Sequence, residues 1–200
     1  MTVSPARPYH HGNLRSELLS YAERALAEGG LAQLSLRDLA RQVGVSHAAP
    51  RRHFADKQAL LDALAQDGFE RLGHELREAM DAASSDFDAR LAALTGSYVR
   101  FATRHAALLE LMFANKYRPD AADSLRAAKE AAFAAPLALI TDGQASGAVV
   151  PGDPEAVATV AWATVQGLAS IANAGMLDDA ALDGLVASAV ERLVLGLRPR

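Results

Sequence analysis

Apolar residues return along this chain every three to four positions, the spacing of one helical face, and that period predicts an all-α fold. Leu14, Leu18, Ala22, Ala25 and Leu26 form the first stripe. It predicts a helix from Asn13, its N-cap, to about Glu28, with Gly29-Gly30 as the stop. Leu36, Leu39, Ala40 and Val43 give a second, shorter helix that ends at Gly44, because glycine takes a left-handed backbone without steric cost. Ser46 is placed to cap a third helix running to about Phe54. Asp56 then caps a long helix from Lys57 to Ala82, with Leu61, Leu64, Leu72, Leu76 and Met80 at helical spacing. At 1.5 Å per residue it extends about 40 Å. No Pro/Gly-rich linker interrupts it, so motion in whatever follows would pass through a continuous rod to whatever precedes.

Everything after Asp86 also reads as helix. Leu91, Leu94, Tyr98, Phe101 and Ala102 mark a segment from Asp86 or Asp88 to about His105, and Ala106 to Ala114 is short and very apolar. A break is expected from Asn115 to Pro119, then a long alanine-rich helix from Asp120 to Gly143, bent near Ala132 to Pro136 by its internal proline. A loop from Ala145 to Pro154 leads to two closing helices, Asp153 to Ala174 and Asp178 to Leu197. Both are apolar on more than one side, which means burial from more than one side. One side faces the chain's own core. The other is assigned to a two-fold partner through Val157, Val160, Ala161, Thr164 and Leu168 of the first and Leu182, Leu185, Val186, Ala189 and Leu193 of the second, a four-helix homodimer interface.

Composition narrows the class. The chain has no cysteine, so disulfides, thiolate metal sites and a cysteine nucleophile are excluded. No apolar run approaches the length of a membrane span and the N-terminus lacks a signal-peptide pattern, so a cytoplasmic protein without membrane contact is expected. Net charge is −4, but it is unevenly spread: seven Arg and four Asp or Glu give residues 1–53 a net +3, leaving −7 for the rest. A basic module on an acidic body fits a nucleic-acid partner better than the total suggests.

The basic residues concentrate on the expected third helix, which carries His47, Arg51, Arg52 and His53 beside small Ala48 and Ala49. Helix, short glycine-bearing turn and basic second helix together form a helix-turn-helix pattern, whose second helix enters the major groove. An ordinary surface hairpin with a solvated charged face is the alternative. The stretch also resembles the DNA-binding domain of the TetR (tetracycline-repressor) family. Matching residues are Tyr9-His10-His11-Gly12-Asn13-Leu14, Leu36-Arg37-Asp38-Leu39-Ala40, Gly44-Val45-Ser46, and His53-Phe54-Ala55-Asp56-Lys57 with Leu60-Leu61. Arg51 departs from the tyrosine usual there. The run Trp162 to Gly167 is similar to a Trp-x-x-x-x-Gly motif of one branch, with Gln166 in place of a common histidine.

The resemblance implies a helix-turn-helix DNA-binding domain over residues 1–55, and an effector-binding and dimerisation domain over 56–200. It carries DNA contact to Arg37, Ser46, His47, Ala48, Arg51, Arg52, His53 and Lys57. Ser46, His53 and Lys57 suit phosphate, which sets affinity and register, and Ala48 offers a methyl to thymine. Pro50 is assigned either to packing or to a groove contact.

In the body, Phe69, Tyr98, Phe101, His105, Met112, Phe113, Tyr117, Phe133, Trp162 and Gln166 are the candidate lining of an effector cavity, with plain core as the competing reading. Alanine richness leaves room between helices, and Tyr98, His105 and Gln166 supply polar handles for a small, largely apolar effector. No cofactor or metal motif is present in the sequence. His105 with Glu110 is the best catalytic pairing, but no nucleophile or glycine-rich loop accompanies it, and no enzyme is expected. The expectation is a homodimeric regulator, a repressor by the family's habit, bound to a palindromic operator with half-sites about 34–36 Å apart. Two alternatives remain: a DNA-binding regulator controlled by a protein partner rather than a small molecule, and, remotely, an enzyme built on His105 and Glu110.

Overall fold

The computed structural model describes residues 14–115 and 123–199, all helix, turn or coil with no strand among them. The expected Asn13 cap, the Tyr9 to Asn13 run and Tyr117 lie outside the described residues. The chain divides into two compact units, Met1–Leu64 and Ala65–Arg200.

The first unit holds α1 (Leu14–Gln33), α2 (Leu36–Val43), a 3₁₀ turn (Pro50–Arg52) and the start of α3 (Lys57–Ala82). Leu14, Leu18, Ala22 and Leu26 are buried as the stripe requires, joined by Leu34, Leu39, Phe54 and Leu60. Gly30, at φ 67° and ψ −174°, breaks α1 near the expected stop, and one further turn runs to Gln33. Ser35 caps α2: its hydroxyl accepts from the Asp38 N–H (3.1 Å) and donates to the Asp38 carboxylate (2.7 Å). That hydroxyl, with Arg41 and Arg37 nearby, holds the Asp38 carboxyl below its usual pKa. α2 closes on Gly44 in the left-handed region (φ 77°), where the Gly44 and Val45 N–H groups return to the Arg41 and Ala40 carbonyls. Asp56 caps α3 by accepting from the Ala59 N–H at 2.8 Å.

The second unit comprises the rest of α3 with α4 (Phe87–Arg104), α5 (Ala106–Asn115), α6 (Asp123–Ser146), α7 (Pro154–Asn173) and α8 (Asp179–Leu197). Asp86, Asp153 and Asp178 cap α4, α7 and α8 through backbone N–H groups. α4 is central, packed on α6, α7 and α8, with Leu91, Leu94, Tyr98 and Phe101 inward. Where α3 passes α6, a side chain at Gly73 would put its Cβ 2.8 Å from the Ala132 Cα, so the two backbones meet at a distance only glycine permits. α6 is assigned as one helix through Pro136 to Ser146, longer than the expected end at Gly143.

Candidate functional site

The expected third α-helix is the main departure. Residues 47–49 are turns, and only Pro50–Arg52 form a helical element, of 3₁₀ type. The backbone bonds run three residues back: Ala49 to Ser46 (2.9 Å), Arg52 to Ala49 (3.2 Å) and His53 to Pro50 (3.0 Å). The reason lies in Pro50. With Ser46 as N-cap, residue 50 is the first whose N–H an α-helix would need, for the Ser46 carbonyl, and proline has none. Pro50 is buried, which favours packing over groove contact. It anchors a segment on which Ser46, His47, Ala48, Arg51, Arg52 and His53 are all exposed, as are Arg37 on α2 and Lys57 at the start of α3. Lys57 is already engaged: its Nζ donates to the Leu31 carbonyl at 2.5 Å, tying the last turn of α1 to the start of α3. The surface is therefore cationic and small-residued, with a guanidinium pair at its centre.

Within the second unit lies a cavity of about 600 Å³, walled by α3, α4, α5, α6 and α7. Four of the expected residues line it: Tyr98, Phe113, Phe133 and Trp162. The rings of Phe113, Phe133 and Trp162 form one cluster with that of Phe69. Phe113 and Trp162 lie 5.6 Å apart, Phe133 and Trp162 6.2 Å, and Phe69 and Phe113 5.9 Å. Burial pushes the Tyr98 hydroxyl above its ordinary pKa, the neighbouring Trp162 opposing this in part. That hydroxyl donates to Gln166 Oε1. The remaining wall is aliphatic, including Leu76, Leu91, Leu94, Pro136, Ile140 and Val165, with buried Thr95 among them and Lys129, Glu130 and Glu155 also lining it.

Five other candidates do not line this cavity. Phe69, Phe101 and Met112 are fully buried core. Met112 fills the space over Gly68, where a Cβ would fall 2.7 Å from its Sδ. His105 sits half-buried at the α4–α5 junction, its Nδ1 3.4 Å from Arg71 and its ring 4.9 Å from Phe101. Gln166 lines a second depression, of about 420 Å³, with Glu110, Phe113, Ser170 and Asn173. His105 is not part of that depression, so His105 and Glu110 do not share a cavity wall. Sequence reasoning missed the aliphatic lining because Leu, Ile and Val at helical spacing look the same whether they meet a neighbour or a hollow.

Comparison with known proteins decides the family. A family model described as "Bacterial regulatory proteins, tetR family" matches residues 18–64, and one described as "Tetracyclin repressor-like, C-terminal domain" matches residues 91–196. The chain belongs to the TetR family of transcriptional regulators. It is similar to the solved structure of a protein with unknown function from Rhodococcus sp. RHA1, at 48% identity over 97% of this chain and 100% of that one, with a TM-score of 0.89. Among curated proteins it resembles the HTH-type transcriptional repressor KstR2 of Mycolicibacterium smegmatis, 25% identical over 52% of this chain and 51% of that protein. It also resembles the HTH-type transcriptional repressor Rv1474c of Mycobacterium tuberculosis, 38% identical over 32% and 34% respectively. The matches span about half the length of the first of these curated relatives and a third of the second.

The TetR-family assignment directs attention to the outward faces of α7 and α8, and here the expected interface needs correction. Ala161, Leu168 and Ala189 are buried within the chain, and Ala161 lines the cavity. Those three side chains are taken up by the chain's own packing and offer little surface to a partner. Val160 (67% exposed) and Thr164 do face outward, while Val157, Leu182, Leu185, Val186 and Leu193 are half-buried. Exposed Ile171 and Leu195 belong to the same kind of surface. Gly167, Gly184 and Gly196 have open space where a side chain would be. No helix among the described residues is long and apolar enough to cross a membrane.

Proposed function

We propose that this TetR-family member is a ligand-responsive repressor that binds a palindromic operator as a homodimer and is released by a small, largely apolar effector. The observation that carries this reading is the 600 Å³ ring-walled cavity inside the second unit. A cleft walled by aromatic rings and mostly aliphatic side chains, with few polar groups, has the make-up of a site for a small apolar molecule. Leu76 of the cavity wall and Lys57 of the cationic surface stand on one helix, α3, whose 26 residues extend about 39 Å. A coupling of roughly 1–3 kcal/mol through it would change DNA affinity about 5–150-fold. Val160, Ile171 and Leu195 on α7 and α8 support self-association, and the names of the two curated repressors support the sign of regulation. Trp162 and Gly167 support membership of the Trp-x-x-x-x-Gly branch.

The test is selection of double-stranded DNA from a random pool by the full chain, followed by sedimentation of the complex. A recovered inverted repeat bound by two chains is expected, with affinity falling steeply as salt rises. Recovery of no preferred sequence, or of a site bound by one chain, would overturn the reading.

A further inference from the structure

We infer that Phe113 and the Tyr98–Gln166 hydrogen bond form a partition that sets the maximum length of ligand the cavity accepts; this rests on the cavity being a ligand site. Phe113 lines both the main cavity and the neighbouring depression, the one residue common to the two linings. Tyr98 lines the first space and Gln166 the second, and the hydroxyl of one donates to the amide oxygen of the other across the boundary. Tyr98 of α4, Phe113 of α5 and Gln166 of α7 thus stand where the hollows of about 600 and 420 Å³ adjoin. Gln166 is held at its oxygen by Tyr98. The main cavity is lined mostly by apolar groups, and the depression beyond by apolar and polar groups alike, Ala106, Leu109 and Ala174 beside Glu110, Ser170 and Asn173. An unbranched apolar chain thus gains from each added methylene until it reaches the partition, and no further. Phe113 and Gln166 act as specificity-determining residues by closing the cavity, and their loss joins it to the depression.

The chain carries a single tryptophan, Trp162, in the cavity wall, so its emission reports occupancy without a label. Straight-chain primary alcohols from octanol to hexadecanol are titrated against the full-length wild type, Phe113→Ala, Gln166→Ala and Gln166→Glu. Affinity for wild type should rise about fourfold per methylene and then stop at a definite length. In Phe113→Ala and Gln166→Ala the rise should continue for at least two more carbons, tightening the longest alcohols about sixteenfold. Gln166→Glu, which keeps an oxygen acceptor of the same reach, should stop where wild type stops. Gln166→Ala removes no buried ring and carries the test alone where Phe113→Ala fails to fold. An unchanged stopping length in Gln166→Ala, with wild-type circular dichroism, overturns the partition and leaves the cavity as a ligand site. Absence of any alcohol-induced change in Trp162 emission of the wild type overturns the cavity reading and the partition together.

Discussion

In the first unit Arg51 and Arg52 stand exposed on a three-residue turn rooted by one buried proline, with exposed His53 next to it; in the second, Tyr98, Phe133 and Trp162 come from three helices and converge on a hollow. The first arrangement is local. Its geometry follows from neighbours in sequence and its chemistry is the charge it shows to solvent. The second is assembled from residues as far apart in the chain as Tyr98 and Trp162 and depends on how closely helices approach. The difference teaches where each unit should be sensitive: surface substitutions should change what the first unit binds without unfolding it, whereas in the second unit packing and pocket are one structure.

The largest expected effect tests that dependence directly. Gly73→Val puts a branched side chain where even a Cβ would lie 2.8 Å from backbone of α6, and backbone has no rotamer with which to yield. Overpacking of this kind costs about 1–3 kcal/mol, and the upper end is expected here in urea denaturation followed at Trp162. Gly44→Ala strains the left-handed turn of the first unit (φ 77°) and should cost less, roughly 1–2 kcal/mol. A Gly73→Val protein as stable as Gly44→Ala would break the comparison, because it would mean the second unit gives way as easily as a surface turn.

A smaller effect sharpens the first unit. Arg51→Ala and Arg52→Ala should each weaken operator binding by about 1–3 kcal/mol where they meet base edges. Where they meet phosphate instead, the salt dependence of binding should lose about one unit of slope. Because both side chains are exposed, thermal stability should stay within about 0.5 kcal/mol of wild type. Lys57→Ala should behave differently. Its Nζ bond to the Leu31 carbonyl is lost along with any phosphate contact, so a modest stability loss should accompany the weaker binding. Gel-shift titration beside thermal melting separates the two. An Arg51→Ala protein that melts earlier but binds DNA unchanged would remove Arg51 from the contact surface.

These contrasts also account for what the sequence made legible. The bounds of α3, Lys57–Ala82, were readable, as were the starts of α7 and α8 to within a residue of Asp153 and Asp178, because apolar period is a local signal; the start of α4 was narrowed only to Asp86 or Asp88, and Asp86 is the cap. Exposure of Arg51 and Arg52 followed from the same local pattern. The 3₁₀ form of their turn did not, although its cause was in view: Pro50 falls at the first residue whose N–H the helix needs. The cavity was half legible. Periodicity finds the inward face of a helix but cannot say whether that face meets a neighbour or a gap, so Phe69, Phe101 and Met112 joined the candidates beside Tyr98 and Trp162. The same limit assigned Ala161, Leu168 and Ala189 to a partner when they serve the chain's own core.

The smallest effect isolates one buried group. Tyr98 is 3% exposed, and burial raises its hydroxyl pKa above the ordinary value near about 10 that the unfolded chain would show. The folded state therefore keeps its proton after the unfolded state has lost it. The resulting stabilisation is complete below about pH 10 and is lost as pH climbs from there toward the folded pKa, at no more than about 1.4 kcal/mol per pH unit for a single proton. Tyr98→Phe removes that titration while every other tyrosine remains, so the difference between the two proteins isolates it. At neutral pH the variant should be less stable by about 0.5–1.5 kcal/mol, because Gln166 loses its donor. Between about pH 10 and 11 the gap should narrow, as wild type loses what the variant never had. A gap that stays constant across that range would mean that Tyr98 ionises in the folded chain as readily as in the unfolded one, and that the cavity wall at α4 is open to water rather than closed by the ring cluster.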